Sequence, residues 1–139
     1  MKILGIIPSR YESTRFPGKP LADILGKSMI ERVYQQCLKC SALDDIIVAT
    51  DDKRIYDHVL TFGGKSIMTS KTHQTGTERC NEVAKKLEEY KIIINIQGDE
   101  PLINPVQINE IIALFKNRKT QIGTLAKKIN KKTIIKDEN

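Results

Sequence analysis

The sequence predicts an α/β fold: a mostly parallel sheet with helices on both faces. Three observations carry this reading. Short, continuous apolar runs recur along the chain, amphipathic patterns of helical period separate them, and Gly, Pro or N-capping residues mark each change. Apolar runs that do not alternate with polar residues belong to strands buried on both faces, and strands that alternate with helices pair in parallel.

Each element follows in order. Lys2 to Pro8 reads as a buried strand. Ser28 to Cys40 reads as a helix, with Ser28 as N-cap and Met29, Val33, Cys37 and Leu38 on its inner face. Asp45 to Thr50 is a second strand. Asp51-Asp52 caps a helix that turns Ile55, Val59 and Phe62 inward and stops at Gly63-Gly64. Ser66 to Met68 is a short third strand, followed by a polar loop from Thr69 to Thr77. Thr75 and Glu78 have capping-box spacing and open a helix with Cys80, Val83, Ala84 and Leu87 inward. Ile92 to Ile96 is the fourth strand. Asn104-Pro105 joins an N-cap to a first-turn proline and opens a helix through Ile108, Ile111, Ile112 and Phe115. Ile122 to Ile129 is the fifth strand. Lys131 to Asn139 adds no helix, so an open sheet edge is expected there. The expected division is a nucleotide-binding α/β domain over residues 1–129 and a polar tail over 130–139.

At 139 residues the chain suits one domain with a real core. No apolar run approaches a membrane span, and the N-terminus lacks a secretory pattern, so a cytoplasmic protein without a membrane partner is expected. The net charge of +6 comes with 5% aromatics, no Trp and scattered lysines, clustered only at Lys127, Lys128, Lys131, Lys132 and Lys136. Nucleic-acid readers interleave a basic stripe with aromatics, so the charge reads as solvated surface and no nucleic-acid partner is expected. Cys37 and Cys40 form a C-x-x-C inside a helical pattern. With His73 and Cys80 they lack zinc-finger spacing, and Cys37 and Cys80 read as small core residues.

Three constellations carry chemistry. The first strand runs into Arg10, Ser13, Arg15 and Lys19, three cations within ten residues at a strand's carboxyl end, where ligands of open α/β sheets sit. Arginine matches phosphate oxygens with a planar fork and lysine adds a point charge, so this loop is built for a triphosphate. The second is Gln97-Gly98-Asp99-Glu100-Pro101, after the fourth strand. There Gly98 admits a ligand close to the backbone, and Asp99 is placed to hold Mg2+ between phosphate oxygens. The third is His73-Gln74-Thr75-Gly76-Thr77-Glu78-Arg79, whose exposed amides and side-chain oxygens can read the edge of a base.

Two strings mimic a P-loop lysine, Gly26-Lys27-Ser28 and Gly64-Lys65-Ser66. The glycine required five positions earlier is Leu21 in one and Val59 in the other. No G-x-G-x-x-G follows the first strand, which argues against a dinucleotide cofactor. Neither a Ser-His-Asp arrangement nor a nucleophilic cysteine is evident, as befits direct transfer to an acceptor.

Four strings together resemble the CMP-Kdo synthetases, the cytidylyltransferases that activate 3-deoxy-D-manno-octulosonate (Kdo). They are Ile6 to Leu21, Ile46 to Asp51, Met68 to Arg79 and Asn95 to Ile103. The resemblance implies a Rossmann-like sheet of the nucleotide-diphospho-sugar transferase type. It implies the reaction CTP + Kdo → CMP-Kdo + pyrophosphate with Mg2+, serving lipopolysaccharide synthesis. Carried onto this chain, Arg10, Ser13, Arg15 and Lys19 hold the CTP phosphates. Gln74, Thr75, Gly76, Thr77 and Arg79 face the cytosine, Gln97 lies near the ribose, and Asp99 binds magnesium, with Arg10, Lys19 and Asp99 as the catalytic set. Family members are longer, and their later half supplies most of the sugar pocket, a second magnesium carboxylate and much of a homodimer contact. The chain is therefore expected to be truncated and to hold the nucleotide half. A sialic acid type of nucleotidyltransferase and a non-catalytic nucleotide-binding remnant stand as alternatives.

Overall fold

The computed structural model describes residues 2–13, 15–115, 121–125 and 134–135. In chain order the strands are β1 (Lys2–Ser9), β2 (Asp23–Ile24), β3 (Lys27–Ser28), β4 (Asp45–Thr50), β5 (Ser66–Met68), β6 (Tyr90–Ile96), β7 (Gln121–Leu125) and β8 (Ile134–Ile135). The helices are α1 (Met29–Leu38), α2 (Lys53–Thr61), α3 (Gly76–Lys86) and α4 (Pro105–Phe115). Six strands form one sheet in the order β5-β4-β1-β6-β7-β8. Every pairing is parallel except the last, in which β8 runs antiparallel to β7. The mostly parallel α/β architecture is as expected. At the edge expected to be open, Ile134 and Ile135, inside the segment read as a polar tail, pair with Gly123 and Ile122 of β7. The far part of the strand expected over Ile122 to Ile129 lies outside the described residues.

Side chains of β1, β4 and β6 alternate between two cores, as the period of a strand requires. Ile3, Ile7, Ile46, Val48, Ile92, Ile94 and Ile96 face a core closed by α1, α2 and α4. Leu4, Ile6, Ala49 and Ile93 face a smaller core closed by Cys80 and Val83 of α3. The sheet therefore separates Cys37 and Cys40 from Cys80, and no zinc site joins them.

The buried residues of α1 are Met29, Ile30, Val33, Tyr34 and Cys37, so Met29, Val33 and Cys37 lie inward as expected, and only Leu38, 62% exposed, departs from the expected face. From Ile30 the stripe follows i, i+3, i+4, i+7, and Leu38 lies one step further round the helix. Tyr34 fixes this face by donating to the Ile46 carbonyl at 3.2 Å and accepting from the Lys65 N–H at 3.0 Å.

The caps match the sequence. The Ser28 hydroxyl accepts from the Glu31 N–H at 3.2 Å and meets His58 Nε2 at 2.7 Å. Asp52 caps α2 through the Arg54 N–H, and Asn104 Oδ1 accepts from the Val106 N–H at the start of α4. At α3 the Thr75 hydroxyl accepts from the Glu78 N–H, but the Glu78 carboxylate reaches the Gln74 N–H at 2.7 Å, one residue before the cap.

A hairpin was unforeseen as well. β2 and β3 form a hairpin whose two-residue turn, Leu25-Gly26, has φ of +52° and +94°. Positive φ at both positions is the turn that matches strand twist, and leucine carries no sign of it. Arg32 of α1 holds the turn by donating to the carbonyls of Ile24 and Leu25 at 2.6 and 2.8 Å.

The Ser28 cap is the most economical test of this packing. Replacing it with alanine should cost about 1 kcal/mol and lower the melting temperature by about 4 °C, read by circular dichroism, because an N-cap satisfies an otherwise unpaired helix donor.

Candidate functional site

The chain leaves β1 toward β4 on one side, and later leaves β6 toward β7 on the other. A crevice at the carboxyl ends of β1 and β6 follows from that reversal. β1 pairs with β4 as far as Ser9↔Thr50, but with β6 only as far as Ile6↔Asn95. Beyond that point the two strands no longer pair. Pro8 has no N–H to extend a ladder.

Two adjoining cavities fill the crevice and share Pro8, Ser9, Arg10 and Gln97. The first, about 260 Å3, lies under the start of α3 and is lined by His73, Gln74, Thr75, Gly76, Thr77 and Arg79, with Asn95 from β6. The second, about 320 Å3, is lined by Ser13, Phe16, Lys19, Gly98 and Asp99. Every candidate residue but Arg15 therefore lines one cavity or the other. Arg15 is exposed on the loop outside both.

The cationic loop is held in shape by its own backbone. The Gly18 N–H donates to the Tyr11 carbonyl at 2.7 Å, and the Ser13 hydroxyl accepts from the N–H groups of Arg15 and Phe16 at 3.2 Å. Gly18 has φ of +73°, and a Cβ there would stand 2.9 Å from the Tyr11 ring. The Arg54 guanidinium stacks 3.4 Å from the centre of that ring and pairs with Asp52 at 2.8 Å. The loop is thus pinned to α2.

Lys19 Nζ lies 3.5 Å from Asp99 Oδ2, joining the cationic loop to the end of β6. Asp99 Oδ1 is buried with no hydrogen-bond partner. A hard cation suits that oxygen, since Mg2+ is held by one or two carboxylates together with substrate phosphates. Among the described residues no cluster of three or more His, Cys, Asp or Glu side chains could hold a metal by itself.

Gly98 lines the second cavity and also packs against β1. A Cβ there would lie 3.3 Å from Ser9 Oγ and 3.4 Å from Ile7 Cγ2. Arg79 is only 3% exposed. Its guanidinium donates to the Thr69 hydroxyl and to the Ser70 carbonyl at 3.2 Å, and lies 3.5 Å from Asp51 Oδ2. It ties the loop after β5 to the end of β4 and forms a wall of the first cavity.

Sequence reasoning missed Ser9, Asn95 and Glu82. Ser9 and Asn95 are buried polar residues in the crevice, and the lone Asn inside an isoleucine run was the signal for the second. The Glu82 carboxylate accepts from Lys86 Nζ at 2.7 Å, the Ser70 N–H at 2.9 Å and His73 Nε2 at 2.7 Å. Led by the Lys86 contact, these donors lower its pKa to about 2. The thiols of Cys37 and Cys80 are pushed up to about 12 by burial and are unsuited to nucleophilic work.

Residues 4–139 match a family model described as Cytidylyltransferase. The chain is 56% identical over 140 residues to a 3-deoxy-manno-octulosonate cytidylyltransferase of Fusobacterium nucleatum subsp. nucleatum, covering 100% of this chain and 57% of that protein. It is 56% identical over 128 residues to the protein of the same name from Parabacteroides distasonis, covering 91% and 50%. The chain thus spans about half the length of the curated relatives it matches. Among solved structures it is similar to a CMP:2-keto-3-deoxy-manno-octonic acid synthetase complexed with CTP, with a TM-score of 0.81, 45% identity, and 84% and 48% of the two chains covered. A 4-diphosphocytidyl-2C-methyl-D-erythritol synthase shares the fold, with a TM-score of 0.61 at 20% identity, over 81% and 54% of the two chains.

Glu82 gives the site a pH signature. Its folded pKa lies below its unfolded value, so its contribution to stability is complete above the ordinary carboxylate range and is lost as the pH falls toward about 2. Acid unfolding followed by circular dichroism should be less steep between pH 4.5 and 2 in Glu82→Gln than in the wild-type chain.

Proposed function

The chain belongs to the cytidylyltransferase family, and from that premise we propose that it carries the CTP-binding half of an enzyme that transfers CMP from CTP to Kdo, releasing pyrophosphate, for lipopolysaccharide synthesis. One observation supports this above the others. A cationic loop, the start of a helix and a strand-end carboxylate converge on one crevice at the carboxyl edge of the sheet.

The assignment of roles follows the two cavities. Arg10, Ser13 and Lys19 receive the triphosphate in the second cavity, and Arg15 adds charge at its approach. Gln74, Thr75, Gly76 and Thr77 meet the base in the first cavity, with Arg79 as its wall and Gln97 near the ribose. Asp99 would hold magnesium, and the ion would supply charge neutralisation for the phosphates.

The reaction is an in-line displacement at the α-phosphorus. The anomeric hydroxyl of Kdo loses its proton to solvent as its oxygen forms the new bond to the α-phosphorus, the bond to the oxygen bridging to the β-phosphate breaks, and pyrophosphate departs. Such chemistry rests on positioning and charge stabilisation, and the residues here orient the phosphates and balance the charge that develops on the leaving group. Kdo is received by the further length of the complete enzyme, which we take to be homodimeric and cytoplasmic. Among the described residues no helix is long and apolar enough to cross a membrane.

Two measurements test this. A melt of the chain should rise with Mg-CTP and be unmoved by Mg-GTP, since a ligand that binds only the folded state stabilises it. Equal response to both nucleotides, or to neither, would remove cytosine recognition from the loop at α3. In a complete enzyme, Lys19→Ala and Asp99→Asn should each lower turnover ~100-fold, the effect of losing one charge-stabilising group. Wild-type kinetics in either variant would strike that residue from the mechanism.

A further inference from the structure

Tyr11 joins two parts of the molecule that the sequence keeps apart, the cationic loop to which it belongs and α2. Gly18 lies against its ring, for a Cβ there would stand only 2.9 Å away, and the Gly18 N–H donates to the Tyr11 carbonyl at 2.7 Å. Gly18 leads directly into a single turn of 3-10 helix, Lys19–Leu21, in which the Leu21 N–H donates back to the Gly18 carbonyl at 2.9 Å. What fixes Gly18 therefore also fixes the backbone of Lys19. Tyr11 and Leu21 both pack against the larger core. The same ring carries the Arg54 guanidinium, 3.4 Å from its centre.

Arg54 is itself held still. Asp52 Oδ1 accepts from the Arg54 N–H at 2.8 Å and from its Nε at 3.0 Å, and Oδ2 accepts from Nη2 at 2.8 Å. A guanidinium gripped by both oxygens of one carboxylate becomes a fixed plane, and arginine planes stack well on aromatic rings. The Arg54 side chain is 56% exposed, so burial does not explain this arrangement. Neither Arg54 nor Tyr11 lines a cavity of the crevice, whereas Lys19 lines the second. The path from α2 to the cavity thus runs from Asp52 to Arg54, to the Tyr11 ring, to Gly18 and on to Lys19. A loop already held in its binding shape has less freedom to lose when a ligand arrives, and the ordering cost it avoids appears as affinity.

We propose that Arg54 is a positioning residue, which by stacking on Tyr11 holds Gly18 and Lys19 where a polyphosphate is received. The affinity of the second cavity is then set in part by α2, although no residue of that helix lines it. The inference rests on the reading of this crevice as a nucleotide site.

The test is a calorimetric titration of the 139-residue chain with the magnesium complex of inorganic tripolyphosphate, beside its variants Arg54→Gln, Tyr11→Leu, Tyr11→Phe and the double variant Arg54→Gln/Tyr11→Leu. Salt is kept at about 0.15 M, where exposed charges beyond the site are largely screened. Arg54→Gln and Tyr11→Leu should each weaken tripolyphosphate about threefold or more. The double variant should lose no more than the weaker single variant, because both changes break one stack. A threefold loss corresponds to about 0.65 kcal/mol, the scale of one exposed cation–π contact. Tyr11→Phe keeps the ring and should bind as the wild-type chain does. If Arg54→Gln melts lower yet binds tripolyphosphate unchanged, Arg54 serves structure alone and the proposal falls. Losses that add in the double variant would also overturn it, since Arg54 would then act on the phosphates without Tyr11. So would an equal loss in Tyr11→Phe and Tyr11→Leu, which would assign the effect to the hydroxyl. A wild-type chain that does not bind tripolyphosphate would defeat the nucleotide reading and this proposal with it, an outcome the first titration reports before any variant is compared.

Discussion

The site depends on how far β1 pairs with each of its neighbours. Its ladder to β4 continues to Ser9, while its ladder to β6 ends at Ile6 and Asn95. Both strands run on past that point without each other. In a parallel sheet this is where polar groups lose their regular partners, and the fork they leave is open to a ligand. The rest follows from it. Pro8, lacking an N–H, sits at the fork. Gly98 packs closely against β1, and Gly76 lets α3 approach Pro8.

Electrostatics then fills the fork unevenly. Arg10, Ser13 and Lys19 gather at the second cavity, with Asp99 as the carboxylate among its lining residues. Lys19 is partly balanced by Asp99 at 3.5 Å. Arg79, by contrast, is neutralised inside the protein by Asp51 and hydrogen-bonded to Thr69 and Ser70. Two kinds of cation are thus sorted by burial. The enclosed arginine braces the loop after β5, and the more accessible cations stay available to a polyanion. The stack of Arg54 on Tyr11 makes a third use of charge, in which a guanidinium on α2 steadies the cationic loop through an aromatic face.

The fold was legible where a physical requirement acts on a single residue type or a short run. Strands buried on both faces must be apolar throughout, so Ile92 to Ile96 and Asp45 to Thr50 announced themselves. N-caps must offer a side-chain oxygen, so Ser28, Asp52, Thr75 and Asn104 did too. What depends on contacts between distant segments was not legible. Leu38 looked like a core residue, and its exposure follows from which face of α1 the sheet happens to meet. The Leu25-Gly26 turn rests on Arg32 in the next helix. In the site, charge density pointed to the loop from Arg10 to Lys19, and the helix start at Gly76 was marked by its cap. The internal pairing of Arg79 and the service of Gly98 to β1 could be seen only once β4, β5 and β6 were side by side.

The same distinction explains where the buried polar atoms without partners lie. Those found among the described residues are Ser9 Oγ, Asn95 Oδ1 and Asp99 Oδ1, and all three residues line the crevice. Each such group costs about 1–3 kcal/mol when left unpaired. Folding alone gives no reason for them to cluster, because scattered sites or apolar replacements would be cheaper. A ligand that brings donors and a cation to this crevice does give a reason.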